Sequence, residues 1–254
     1  MVRADVLRSR SLWRGWPALL AVAPQVGAAG NWQTALVATT DYVQRGISQT
    51  DGDPALQASI TYWSPTGWYA GAWGSQVDFR GTYHAATYPG TTDGADLELN
   101  LFTGVSKRFG SDWVVDLKAV GYFYPNDAAP VSYDYVELAV SMGWRERIYG
   151  SLAVSPSANW LARTGGARNR PAYDAGLSLQ QPLSTWLTWM LGTGYRELVA
   201  PGIDGYFYGS TSLVLQLKSC TFELGYYDTD RQGEWLFGER LARGRTVFTA
   251  SVSF

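Results

Sequence analysis

The 254-residue sequence predicts an all-β fold, a transmembrane antiparallel up-and-down β-barrel of about twelve strands. Three observations predict it. From Asn31 onward, apolar and polar residues alternate in segments of roughly ten residues, the length a tilted membrane strand needs, and no window shows the three-and-four spacing of a helix. The connections between these segments alternate between tight turns and longer stretches. The composition is rich in aromatics, with 12 Trp and 16 Tyr, while charged residues reach only 17%, below the quarter usual for soluble domains. Beyond the first thirty residues no stretch approaches the roughly 20 apolar residues of a spanning helix, so a membrane crossing has to be made by strands.

Residues 1–29 read as an export signal. Arg3, Arg8, Arg10 and Arg14 form a basic head, WPALLAVAPQVGA is the short apolar core, and small residues gather near Gly27 to Ala29. The barrel is then 30–254. Removing 1–29 lowers Lys+Arg from 20 to 16 and Asp+Glu from 22 to 21, a net charge of −5 that argues against nucleic acid as a partner. A single cysteine, Cys220, rules out an intrachain disulfide, so stability has to come from the β-ladders.

In chain order the strands are expected near 31–42, 55–63, 67–79, 95–108, 111–125, 133–144, 147–155, 172–181, 185–196, 206–217, 220–229 and 245–254. SPTG (64–67), FGSD (109–112), RER (145–147), PLST (182–185) and KS (218–219) are the tight turns. The connections at 43–54, 80–94, 126–132, 156–171, 197–205 and 230–244 are longer and rich in Gly, Pro, Asp and Arg. Short turns at one rim and long loops at the other are the pattern of outer-membrane barrels. Alternation puts Trp113, Val115, Leu117, Ala119, Gly121 and Phe123 on one face of the fifth strand, with Asp116, Lys118, Tyr122 and Tyr124 on the other. The tenth strand separates Leu213, Leu215 and Leu217 from Ser210, Ser212 and Gln216 in the same way, and the eighth separates Tyr173 and Leu177 from Asp174 and Ser178. Apolar faces out to lipid and polar faces a wet lumen in this reading; a lipocalin-like soluble barrel would invert it. Trp32, Tyr42 and Trp144 stand where interfacial aromatic girdles are expected.

Lumen-lining candidates follow from the same alternation: Asp78, Glu98, Asp116, Glu137, Asp174 and Glu223, against Lys118 and Arg245. This acidic excess predicts a mild preference for cations in any pore they line. A catalytic pair is not expected, because the only histidine, His84, lies in the long loop GTYHAATYPGTTDG without a strand to hold it near a serine. No His/Cys/carboxylate cluster has metal-ligand spacing, no cofactor is called for, and the DGD of Asp51 and Asp53 reads as a plain turn rather than a calcium loop.

Two quoted stretches carry a family likeness. DYVQRGISQTDGDPALQ and, further on, WGSQVDF resemble the start of the TorF-type porin family, also called the Gcw_chp family, with a D-Y-x-x-R-G-x-S-Q-T motif, D-x-P-A-L-Q and a W-G-S-N-V-D-F-like strand. The matching positions are Asp41, Tyr42, Arg45, Gly46, Ser48, Gln49 and Thr50, then Asp53, Pro54, Ala55, Leu56 and Gln57, then Trp73, Gly74, Ser75, Val77, Asp78 and Phe79. Gln44, where an aromatic is usual, and Gln76, in place of Asn, depart from the pattern. DLELNLFTGVSKRFG, YDYVELAVS and ELGYYDTD extend the likeness over most of the mature chain. The terminal TVFTASVSF, ending in Phe254, resembles the signal read by the barrel-assembly machinery.

The resemblance implies an outer-membrane porin barrel in a Gram-negative cell and carries no substrate over to this chain; membrane lipid, the barrel-assembly machinery and small polar solutes are its expected partners. Together with the acidic lumen it leads to the expectation of a passive channel for small neutral or cationic solutes. A non-conducting structural or surface-interaction barrel is the second reading, kept open by the inward Tyr135, Tyr208 and Tyr227, and a lipid-modifying barrel enzyme is the third. Arg45 is expected to fold back onto acidic groups such as Asp41, Asp53 or Asp78. The sequence leaves the solute and the oligomeric state open.

Overall fold

The computed structural model describes residues 30–79, 94–125, 133–158, 170–200 and 202–254. The export-signal reading of 1–29 and the loop carrying His84 lie outside the described residues. Alternating apolar and polar segments form twelve antiparallel strands that close on themselves: β1 (Asn31–Thr39), β4 (Ala55–Trp63), β5 (Trp68–Gln76), β6 (Leu97–Phe109), β7 (Trp113–Phe123), β8 (Tyr135–Trp144), β9 (Ile148–Ala158), β10 (Arg170–Pro182), β11 (Leu187–Leu198), β12 (Tyr206–Leu217), β13 (Cys220–Thr229) and β14 (Arg245–Ser253). Each strand pairs with its sequence neighbour, and β1 pairs with β14 from Ala35–Ser253 to Thr39–Thr249 to shut the barrel. All twelve expected strands are present, and the tight turns sit at the rim that also carries both chain ends of the barrel.

Two elements depart from the expectation. The first long connection contains a two-residue-per-strand hairpin, β2 (Val43–Gln44) and β3 (Ile47–Ser48), and the last contains two short helices, α1 (Arg231–Phe237) and α2 (Glu239–Ala242). The helices are too short for a hydrophobic period to register in sequence. Their determinants are local instead: Asp230 caps α1 by accepting from the Gly233 N–H, and Gly238, at φ 84°, ends it.

The exposed faces of the strands are apolar, as the alternation required. Leu99, Leu101, Leu117, Leu138, Leu152, Leu177, Leu191 and Leu213 all point outward. Aromatics band the two rims of this surface. Trp32, Trp68, Phe109, Trp113 and Trp186 ring the short-turn end; Tyr173, Phe207, Tyr226 and Phe248 ring the other. Such girdles mark the two membrane interfaces, where an apolar ring body can remain in lipid while its polar edge meets headgroups and water. Trp144 belongs to the short-turn belt, with the Arg145 guanidinium 4.8 Å from its ring centre. Tyr42 does not belong to either belt: it is buried inside the barrel.

Candidate functional site

The lumen at the long-loop end is occupied by the chain itself. Asp41 to Thr50, the polar stretch DYVQRGISQT, is buried at every position. A segment so polar is buried only when its groups find partners, and this one does. The Asp41 carboxylate accepts from Ser48 Oγ at 2.6 Å, Thr50 Oγ1 at 2.8 Å and Arg245 Nη1 at 2.6 Å. The Tyr42 N–H donates to Thr50 Oγ1, and Gln49 N–H to the Tyr42 carbonyl. The first loop is thus folded onto itself around Asp41 and tied by one arginine to β14.

At its tip the hairpin turns through Arg45 and Gly46, with φ of 51° and 79°. Positive φ at both central residues is the signature of a type I′ turn, the two-residue turn whose twist matches a hairpin. Arg45 adopts this conformation against its side chain's preference and is held by ion pairs. Its Nη2 lies 2.9 and 2.8 Å from the two Glu137 oxygens, and its Nε 3.0 Å from Asp174 Oδ2. Arg45 is 6% exposed and Glu137 1%. Burial alone would lower the Arg45 pKa, but Asp174 and Glu137 outweigh it and hold the pKa above its ordinary value, so the guanidinium stays charged. Ser155 Oγ and Tyr208 OH complete the shell by donating to Glu137 and Asp174.

Gly46 has a second constraint, because a Cβ there would come 2.4 Å from Thr229 Cγ2 and 3.0 Å from the Asp228 carbonyl. Gly46→Ala is therefore expected to destabilise the barrel by about 1–3 kcal/mol through backbone strain and this clash. Urea midpoints of the refolded protein check it; a midpoint equal to the parent's would mean the hairpin is not seated against β13.

The expected partners of Arg45 need correction. It reaches neither Asp41, Asp53 nor Asp78, but crosses the lumen to β8 and β10; Asp41 is taken by Arg245, and Asp53 is exposed. Asp41 is spent on the loop's own fold and Asp51 pairs with Arg240 of α2, while the acids that meet Arg45 come from strands 92 or more residues away.

Of the lumen candidates, Glu98, Asp116, Lys118, Glu137, Asp174 and Glu223 lie on inward faces, and Arg245 faces in at the top of β14. Asp116 accepts from Tyr69 OH, Glu98 from Asn100 Nδ2 and Tyr42 OH, and Glu223 from Tyr227 OH. Lys118 stands 4.9 Å above the Phe102 ring. Asp78 is the exception. It lies beyond the end of β5, half-buried, and the alternation of that strand turns Val77 and Phe79 inward instead of it. Sequence reasoning placed Arg45 at the barrel mouth rather than across the lumen, and it missed one cation, Arg196. The latter is on an inward position of β11, between Gly194 and Leu198, and period-two alternation would have found it.

The two quoted motifs meet in space, which accounts for their occurring together. The Tyr42 ring packs edge-on against Trp73 with centroids 5.4 Å apart, and the Gln49 carbonyl accepts from the Asp78 N–H at 2.7 Å. Phe79 packs on Tyr124 and Tyr133 beside them. Ser75, buried to 1% exposure on the same inward face, donates to the carbonyl of Gln76, and Gly74 on the lipid side leaves room for Leu99. On the opposite side Ile47 packs with Leu236 and Leu241 of the two helices, so the last loop backs the first.

The model of the family described as "Bacterial protein of unknown function (Gcw_chp)" matches residues 26–249. The chain belongs to the Gcw_chp family. No curated protein matches it. Among solved structures this Gcw_chp barrel is similar to the NanC porin, at 10% identity and a TM-score of 0.55, over 88% of this chain and 99% of that one. It is also similar to the KdgM porin in complex with disordered oligogalacturonate, at 6% identity and a TM-score of 0.47, over 88% and 98%. The COG4313 outer membrane channel from Pseudomonas putida F1 matches at 8% identity and 0.48, over 89% and 95%. The NanC likeness carries the fold alone: the Gcw_chp barrel has the architecture of bacterial outer-membrane β-barrels.

Proposed function

We propose that this Gcw_chp barrel is a narrow outer-membrane channel for small polar solutes whose described state is closed by its first loop. The observation that carries the reading is the chemistry of the lumen. Among the described residues it holds six carboxylates (Asp41, Glu98, Asp116, Glu137, Asp174, Glu223) and four cations (Arg45, Lys118, Arg196, Arg245), where a barrel needing only to be filled would be expected to use apolar side chains. Buried ion pairs seldom improve on apolar packing for stability, but they suit an element that must exchange between two arrangements or meet water. The loop is held by charged contacts that water can replace, so its release is the natural opening step.

Arg45 and Arg196 change the charge balance read from sequence. Counted over the described residues the lumen retains an excess of two carboxylates over cations, so the expected preference for cations is slight and the solutes are chiefly neutral or weakly cationic. Reversal potentials across a planar bilayer under a potassium chloride gradient test this. A small cation-directed shift is expected; a clearly anion-selective potential would show that the inward charges do not set selectivity. In the same reading residues 1–29 are the export signal, 30–254 the barrel, and Phe254 the assembly signal. Phe254 is exposed at the β1/β14 seam, where its N–H donates to the Thr34 carbonyl.

A non-conducting barrel that presents its loops to a partner is the second reading, favoured by the complete burial of 41–50 beneath α1 and α2. A bilayer silent both for the parent and for a variant with its first loop released would support it over the channel.

A further inference from the structure

Arg45 and the groups that hold it belong to different parts of the molecule. The arginine sits at the tip of the β2–β3 hairpin, an insert outside the barrel ladder. Its partners line the barrel wall: Glu137 on β8 and Asp174 on β10, backed by Ser155 of β9 and Tyr208 of β12. The wall groups hold one another in place without it. Ser155 Oγ donates to Glu137 at 3.2 Å, Tyr208 OH lies 3.0 Å from both Asp174 oxygens, and Arg196 stands opposite Asp174 in the β10–β11 register, its Nη1 3.8 Å from Glu137. The two carboxylates meet the guanidinium on different nitrogens, Glu137 taking Nη2 with both oxygens and Asp174 taking Nε. Such a pair fits a planar cation whose N–H groups diverge from separate nitrogens; an ammonium is a point charge on one nitrogen. The backbone gives an independent indication. Glycine or asparagine is the usual residue at a φ of 51°, so the arginine is present for its head group and not for the turn. A cavity of about 70 Å³, with Tyr135, Tyr206 and Phe79 in its walls, lies against Arg45 at the long-loop end.

We infer that Glu137 and Asp174 form a recognition site for the guanidinium group of a small cationic solute, which Arg45 occupies as a tethered stand-in. The inference deepens the channel reading, on which passage of that solute rests. With the hairpin withdrawn, the two carboxylates face Arg196 alone, so the site carries one net negative charge and takes one monocation. This agrees with a lumen that favours cations. The aromatic walls suit the apolar stem of the solute. Solute and Arg45 exclude each other, so binding at this site releases the hairpin, and the solute shifts the loop toward its open position by its preference for the vacated site. The tether sets the strength. A side chain on a short connection competes at an effective concentration on the order of 1 mM or above. A free solute displaces it only at comparable concentrations, and a site on a permeation path has to release what it binds.

The test is direct binding of methylguanidinium, independent of conduction. The full chain, refolded in detergent and verified by heat-modifiable gel mobility, is titrated with the carbon-labelled ion while its line width is followed by nuclear magnetic resonance. Methylammonium controls for charge without the fork, and methylurea for the shape without charge. Saturable broadening by methylguanidinium alone is expected. Arg45→Gly, which the positive φ accommodates, removes the competitor and should tighten binding at least about tenfold. Adding Glu137→Gln to Arg45→Gly should reverse most of that gain, since one of the two acceptors loses its charge. Absence of saturable broadening with the parent, equal broadening by methylammonium, or parent-like affinity in Arg45→Gly overturns the inference. Should Arg45→Gly fold only when methylguanidinium is present during refolding, and not with methylammonium, that rescue supports the site; failure to fold with either overturns it. Saturable binding by a barrel that never conducts would leave this site standing while removing the channel; conduction without binding would do the reverse.

Discussion

Replacing Arg45 with methionine is expected to destabilise the barrel by about 3–5 kcal/mol, because Glu137 and Asp174 would remain buried without their cation. The stem of methionine can occupy the same space, so the loss reports charge more than volume. Denaturant unfolding of the refolded protein in detergent reads it. Neutralising the acids as well, with Glu137→Gln and Asp174→Asn, should recover part of the loss, since the penalty comes mostly from stranded charge. In a bilayer the same Arg45→Met change should raise the open probability, as the hairpin loses its two anchors across the lumen. An unchanged unfolding midpoint together with unchanged conductance would mean that the ion cluster does not hold the loop.

The second expected result concerns the lipid face. Leu177 lies midway along β10, opposite Thr193 of β11 and Gly150 of β9, and its side chain is 55% exposed. Leu177→Arg should cost about 2–4 kcal/mol, the range for a cation at the membrane midplane. Leu215 is on the same outward face but two residues from the short-turn end of β12, so Leu215→Arg should cost less, as its guanidinium can reach the interface. Ser212→Arg on the inward face meets the Glu223 carboxylate, with which Ser212 already interacts. It should be tolerated better than Leu177→Arg. If Ser212→Arg proved the more damaging of the two, the assignment of faces would be reversed.

Strand number, strand limits and the two faces were legible in the sequence because they rest on a local rule. Successive side chains of a strand alternate sides, so Leu177 and Ser178 declare themselves without reference to the rest of the chain. The turn lengths are equally local, and they separate one rim from the other. Asp78 obeys the same rule and was set on the wrong face: the alternation that buries Trp73 and Ser75 continues to Val77 and Phe79, which leaves the aspartate on the other side.

What the first loop does was a different matter. DYVQRGISQT is mostly polar, with Val43 and Ile47 its two aliphatic residues, and a composition of that kind describes a solvated turn as well as a buried one. The two differ only in whether acceptors exist for Arg45 and donors for Asp41, and those groups come from β8, β10 and β14, far away along the chain. Closure of the barrel brings them to one level of the lumen. The sequence by itself determined a closed antiparallel barrel with a polar interior; the tertiary structure alone decided that this interior is filled by its own first loop, because ion pairs across a lumen depend on which strands face each other and not on the period along any one of them.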